Sequence, residues 1–132
     1  MDKVPASHTD LLKDGKRAFA YLATIMPDGT PQVTPLWFNT DGKYILINTA
    51  VGRTKDRNMR KRPNVALVIQ DPDSPYRYLQ IRGKVAESTM EGANEHIDHL
   101  AWKYKGIKKY DGYRPGMQRI TYKILPEHVD AH

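Results

Sequence analysis

Two turn signals, Pro27-Asp28-Gly29 and Asp41-Gly42, cut the first third of this chain into short β-rich segments. In the first, proline presets φ and glycine takes the left-handed position; the second is a hairpin dipeptide. Residues 17–26 (RAFAYLATIM) are apolar almost throughout. That suits a strand buried on both faces or a short buried helix, and the turn that follows favours the strand. Residues 31–39 (PQVTPLWFN) and 44–49 (YILINT) supply a second and a third strand, so the first half reads as a three-stranded meander.

The rest of the chain continues in short elements. Residues 54–62 predict a short helix, with Thr54 as N-cap, Asp56 in the first turn and Pro63 barring continuation. Residues 65–70 (VALVIQ) predict a buried strand and 71–75 (DPDSP) a loop. From 77 to 87, Leu79, Ile81, Gly83 and Val85 alternate with Tyr78, Gln80, Arg82 and Lys84, as in a half-buried strand. Ser88 and Glu91 fit a capping box ahead of a helix whose stripe is Ile97, Leu100, Ala101 and Tyr104, and Gly106 ends it. A tyrosine-rich loop leads to a last strand over 118–125. At the start, residues 7–14 predict a short helix capped by Ser7 or Thr9, docked by Leu11 and Leu12 and stopped by Gly15. Six strands with two or three helices predict a mainly β (α+β) fold, a small closed barrel with helical additions.

A length of 132 residues suits one domain spanning 1–132 and is too short for two cores. Cysteine is absent, which removes disulfide and thiolate chemistry and fits a reducing compartment. Residues 1–16 are polar and mixed in charge, unlike a signal peptide, and no apolar run approaches the ~20 residues a membrane helix needs. The expectation is a cytoplasmic protein without a membrane partner.

Charge is concentrated in one place. Arg53, Lys55, Arg57, Arg60, Lys61 and Arg62 face one acid, Asp56, so this segment holds a net +5 of the chain's +6. The stretch NTAVGRTKDRNMRKR at 48–62 runs from a strand end, through glycine, into a capped helix. Free backbone N–H groups and the positive end of the helix dipole at such a junction accept phosphate. Arg53 and Lys55 add charge there, and Asn48 and Thr49 offer small hydrogen-bonding groups at the strand end. Met59 is the helix's one substantial apolar side chain, so core packing alone does not account for it. The competing reading is a solvated helix face.

Pro31 and Pro35, four apart in the second strand, remove donors from the same side, which therefore cannot pair normally. Either this is a protected edge or it is a seam where a planar ligand meets backbone, with Gln32, Thr34 and Trp37 beside it. Trp102, Tyr104, Tyr110 and Tyr113, interleaved with lysines, suit a dimer interface or a lid over a cofactor. The same composition can stack nucleic acid, a reading set aside here. His96 and His99 share a helix face but lack further ligands for a metal, and read as ordinary surface histidines. Neither GxGxxG nor a P-loop pattern occurs, and no Ser-His-Asp or paired-carboxylate arrangement stands out. A redox enzyme can do without these, because its cofactor carries the hydride.

Four stretches carry a family resemblance: FAYLATIMPDGTPQVTPLWF at 19–38, ILINTAVGRTKDRNMRKRPNVAL at 45–67, YRYLQIRGKV at 76–85 and HIDHLAWKY at 96–104. Through them the chain resembles the pyridoxamine phosphate oxidase-like split-barrel flavoproteins, and is most similar to their deazaflavin-dependent branch. The resemblance implies a six-stranded split β-barrel of the FMN-binding type, and a homodimer with cofactor at the subunit interface. It implies that Asn48, Thr49, Arg53, Thr54, Lys55 and Asn58 hold the cofactor phosphate. Gln32, Thr34, Pro35 and Trp37 are expected to lie along the isoalloxazine-type ring. Some flavin-binding relatives carry glutamine about where Tyr78 stands, and the substrate-holding C-terminal extension of true pyridoxamine phosphate oxidases is missing. Surplus charge at Arg57, Arg60, Lys61 and Arg62 favours coenzyme F420, with its anionic tail, over FMN. The expected activity is hydride transfer from reduced F420 to an unsaturated or quinone-like small molecule. The alternatives are an FMN-dependent enzyme of the same fold and a non-enzymatic cofactor or nucleic-acid binder.

Overall fold

The computed structural model describes residues 1–132. Seven antiparallel strands, one more than expected, form one curled sheet in the order β2-β1-β5-β6-β7-β4-β3. They are β1 (Ala20–Ile25), β2 (Pro31–Leu36), β3 (Phe38–Thr40), β4 (Ile45–Ala50), β5 (Asn64–Asp71), β6 (Ser74–Thr89) and β7 (Arg119–Ala131). Helix α1 (Thr54–Lys61) links β4 to β5, and α2 (Ala93–Lys105) follows β6. The mainly β split-barrel architecture is therefore as expected.

The extra strand arises at Trp37. The segment expected as one strand over 31–39 breaks there: β2 pairs with β1, and β3 pairs with β4. These two pieces are the opposite edges of the sheet, joined by a single residue. Pro31 and Pro35 lie on β2, whose one partner is β1, so the missing donors fall on an edge. The curl brings Leu22, Phe38, Ile47, Leu67, Leu79 and Ile81 into one core that also takes Leu11 and Leu12 from the N-terminal segment. Each such side chain contributes about 1.5–3 kcal/mol by leaving water.

Tertiary pairing overrides local signals at several points. β1 is buried on one face only; Phe19, Tyr21 and Val33 lie on the outer side of the β1–β2 edge and stay exposed. The loop expected over 71–75 is shorter, because β6 resumes at Ser74 and runs 16 residues. Ser88 and Thr89 do not cap α2 but end β6, where they pair with Tyr122 and Thr121 of β7. Gly92, at φ 75°, turns the chain into α2 instead. The N-terminal segment Ala6–Leu12 is a 3-10 helix after Pro5, without a side-chain cap, though Leu11 and Leu12 dock as expected. Arg77 anchors it through Asp10 (2.6 Å) while also binding Asp71 (2.9 Å). β7 continues to Ala131 beside β6, with register shifts near Gly83 where the two strands bend together.

Candidate functional site

The turn between β4 and α1 is built by an acid. Asp56 is buried and accepts the Gly52 N–H (2.8 Å), the Tyr122 hydroxyl (2.6 Å) and Arg60 Nε (2.9 Å). Burial opposes its ionisation, yet these three donors outweigh it and hold the carboxyl below its ordinary range. Gly52 sits at φ 96°, so the sharp exit from β4 needs glycine. Thr54 is the first helical residue rather than the cap; Arg53 occupies the cap position without a side-chain bond. The N–H groups of Thr54 and Lys55, in the first turn of the helix, are thus left without a protein acceptor.

Two concavities meet at this turn. A shallow groove of about 340 Å³ is lined by Gln32, Gly52, Arg53, Thr54, Lys55 and Arg57. It shares Arg53 and Lys55 with a cavity of about 250 Å³ running inward past Pro35, Trp37, Asn48 and Thr49. α2 closes that cavity with Ile97 and Leu100, and Tyr110 and Arg119 cover its end. No acid lines either space. Burial lowers the Lys55 pKa, and the neighbouring Arg53 and Arg119 lower it further. The Thr49 hydroxyl is fully buried and has no partner, and neither has that of Thr34 on β2.

Behind the cavity lies a polar network. Asn48 Nδ2 donates to the Ala93 carbonyl (2.9 Å) and to His96 Nδ1 (3.1 Å), and Asn48 Oδ1 accepts from Arg119 Nε (2.8 Å). His96 Nε2 meets Asn39 Oδ1 at 2.8 Å, which assigns the proton to Nε2 and leaves Nδ1 as the acceptor. Burial, with His99 and Arg119 adding repulsion, pushes the His96 pKa down to about 4, so the ring is neutral near pH 7.

The aromatic wall is equally fixed. Trp37 stacks on Tyr104 at 5.3 Å and meets Tyr110 edge-on at 6.2 Å. The Tyr104 hydroxyl donates to the Ala18 carbonyl (2.5 Å), and burial raises its pKa. Lys103, buried on α2, donates to the Phe38 carbonyl (2.7 Å) and caps the Phe38 ring; burial brings it down to about 8. Asp98 holds the tyrosine loop by accepting the Tyr110 N–H (2.8 Å) and the Tyr113 hydroxyl (3.2 Å).

The structure gathers Gln32, Pro35, Trp37, Asn48, Thr49, Arg53, Thr54 and Lys55 around these two spaces. Thr34 stands on the same strand but lines neither. Asn58 is a correction: it is buried under the floor, donating to Thr24 Oγ1 (3.0 Å) and accepting from Arg62, so it has no face toward a ligand. Thr24 in turn donates to Gln32 (3.2 Å), so Asn58 acts on the groove through two other side chains. The basic helix also offers less free charge than its sequence suggests. Arg60 is paired with Asp56, and Arg62 is spent on the Ile25 carbonyl and Asn58. His96 is not a surface histidine. It and Arg119 are the site residues missed from sequence; a lone arginine opening the apolar run of the last strand was the one available signal.

A curled antiparallel sheet with an open seam, a cation-lined turn and an aromatic wall defines a split-barrel protein. Residues 7–130 match the family model described as pyridoxamine 5'-phosphate oxidase, and the chain belongs to that family. Membership carries a general oxidoreductase role. A solved F420 reductase is 32% identical over 96% of this chain and 98% of its own, with a TM-score of 0.83. A conserved hypothetical protein from Mycobacterium tuberculosis is 23% identical, covering 97% of this chain and 84% of its own, with a TM-score of 0.70. HutZ, a heme storage protein from Vibrio cholerae, shares the fold at 12% identity and a TM-score of 0.67, over 98% of this chain and 94% of its own. No helix is long and apolar enough to cross a membrane.

Proposed function

We propose that this protein is a reductase that uses the deazaflavin coenzyme F420 and acts on an unsaturated or quinone-like small molecule. One observation carries the reading: three cations, Arg53, Lys55 and Arg57, surround a helix start with unfilled N–H groups, next to a seam walled by Trp37. The residues fit an anion-bearing planar cofactor. Arg53, Lys55 and the N–H groups of Thr54 and Lys55 would hold its phosphate. Gln32, Pro35 and Trp37 would face its ring. When bound, the reduced cofactor supplies the hydride. The chain's own part is to fix the phosphate, present the edge of β2 to the ring and exclude water with the Tyr104–Trp37–Tyr110 wall.

The likeness to an F420 reductase supports this cofactor over FMN. Arg57 and Lys61 remain the exposed charges without a carboxylate partner for an anionic tail, and that contribution is screened by salt. A homodimer follows from the unpaired edge of β2 and the exposed Phe19, Tyr21 and Val33 beside it, an apolar surface suited to a second copy. The test is fluorescence titration of F420 and FMN at low and high salt, in wild type and an Arg57→Ala/Lys61→Ala double variant. F420 should bind more tightly, with an advantage that shrinks as salt rises and shrinks in the variant. Tighter FMN binding at every salt concentration would assign the protein to the flavin branch.

A further inference from the structure

Arg119 is buried, 5% exposed, and opens β7 opposite Ala50. A buried guanidinium normally has a carboxylate against it, because an unpaired buried charge is costly. Arg119 has none. Its Nε donates to the neutral Asn48 Oδ1 (2.8 Å), its Nη1 meets the Met117 sulfur at 3.6 Å, and the Tyr110 ring lies 5.2 Å from its carbon. Every one of these partners is neutral. Arg119 also lines the cleft, on the same face of the sheet as Asn48.

The arrangement holds Arg119 in place without neutralising it. Asn48 is itself held by Ala93 and by His96, which Asn39 holds in one tautomer. The fork of the guanidinium is thereby fixed in a cleft that is lined by Trp37, Ile97 and Leu100 and also by Arg53 and Lys55. A cleft of about 250 Å³ that holds a fixed arginine is small for a ligand pocket and takes little more than one ring. Lys55 and Arg53 line both spaces and are taken up, on the reading above, by the cofactor's phosphate. A phosphodiester cannot neutralise Arg119 as well.

We propose that Arg119 is the anchor for a carboxylate on the substrate. The inference rests on the reductase reading for the word substrate, while the anion site itself stands on the chain alone. Arginine suits the task because its planar fork meets a carboxylate through two parallel hydrogen bonds. The Tyr110 ring, 5.2 Å from the guanidinium carbon, covers the arginine and leaves its fork as the donor set for the acid.

The probe is benzoate, with benzamide as its neutral isostere, titrated into cofactor-free protein by calorimetry. Wild type should bind benzoate at least ten times more tightly than benzamide. Arg119→Gln should remove that preference, whereas Lys55→Ala should keep it and lose affinity for F420 instead. If Arg119→Gln fails to fold, Tyr110→Leu strips the ring that covers the guanidinium and should reduce benzoate affinity several-fold. Equal binding of benzoate and benzamide by wild type overturns the proposal. So does an Arg119→Gln variant with unchanged benzoate affinity, or one in which F420 binding collapses while benzoate competes with F420, since Arg119 would then belong to the cofactor's phosphate site. Failure of wild type to take up F420 or FMN, with benzoate binding intact, refutes the reductase reading and leaves the acid site standing.

Discussion

Acidification should loosen this protein through one residue, His96. In the folded chain its pKa lies at about 4, against 6.5 for an unperturbed histidine. The unfolded chain therefore binds a proton that the native state refuses, and stability falls as pH drops through that window. Above pH ~6.5 the penalty is absent, and below pH ~4 it is complete. Between about pH 7 and pH 5 the shift corresponds to a loss of about 2 kcal/mol. The cause is geometric: a proton on Nδ1 would confront the Asn48 Nδ2 donor at 3.1 Å, with Arg119 close behind. Asp71, held down to about 2 by the Asp73 N–H and Arg77, titrates below the window and does not confuse the result. Urea unfolding followed by tryptophan fluorescence, at fixed protein concentration and ionic strength, measures the effect. His96→Gln should be less stable than wild type at pH 7 because Asn48 and Asn39 lose a partner, yet its stability should change much less between pH 7 and 5. An equal pH dependence in wild type and variant would show that His96 is not the group being titrated.

Three further outcomes are expected. Lys55→Ala should weaken F420 binding by about ten- to a hundredfold, the equivalent of one charge-assisted hydrogen bond at about 1.5–3 kcal/mol, with an unchanged melting temperature; equal affinities would remove Lys55 from the site. Gly83→Ala would place a Cβ 2.1 Å from the Leu125 carbonyl oxygen, a backbone atom, and should destabilise by about 1–3 kcal/mol or more in thermal unfolding. Val33→Glu, on the exposed side of the β2 edge, should shift sedimentation from about twice the 15.1 kDa chain mass to the chain mass alone and abolish cofactor binding; a variant that stays dimeric would place the interface elsewhere.

The sequence made the strands legible wherever a local pattern coincided with a tertiary one. Residues 79–85 alternate because one face of β6 meets the core, and Gly106 ends α2 because that position adopts φ 70°. Local signals failed where a long-range partner outbid them. Ser88 and Glu91 have the spacing of a capping box, but β7 claims Ser88 and Thr89 as strand. Thr54 has the chemistry of a cap, but Asp56 reaches back to Gly52 and moves the helix start. The cation-lined half of the site was readable because glycine, cations and helix follow one another in the chain. Of the inner half, Pro35, Trp37, Asn48 and Thr49 were expected, and the network behind them was not. Asn39, Asn48, His96 and Arg119 come from four elements, and only folding reveals that they share hydrogen bonds.

The two sheet edges, β2 and β3, are neighbours in the chain, so the barrel is held shut at one point by a covalent clasp, Trp37, and not by hydrogen bonds. At the far side, His8 Nε2 lies 2.9 Å from the carbonyl of His132, so the N-terminal segment reaches the last residue. Connectivity here is a ring with two openings, one at the termini and one at the clasp. A circular permutant joined across the termini and opened between Leu36 and Phe38 would keep every ladder, from β1–β2 round to β3–β4, and lose only the clasp. Such a chain separates two roles that the natural order merges: strand pairing makes the sheet, and one residue makes the sheet a barrel.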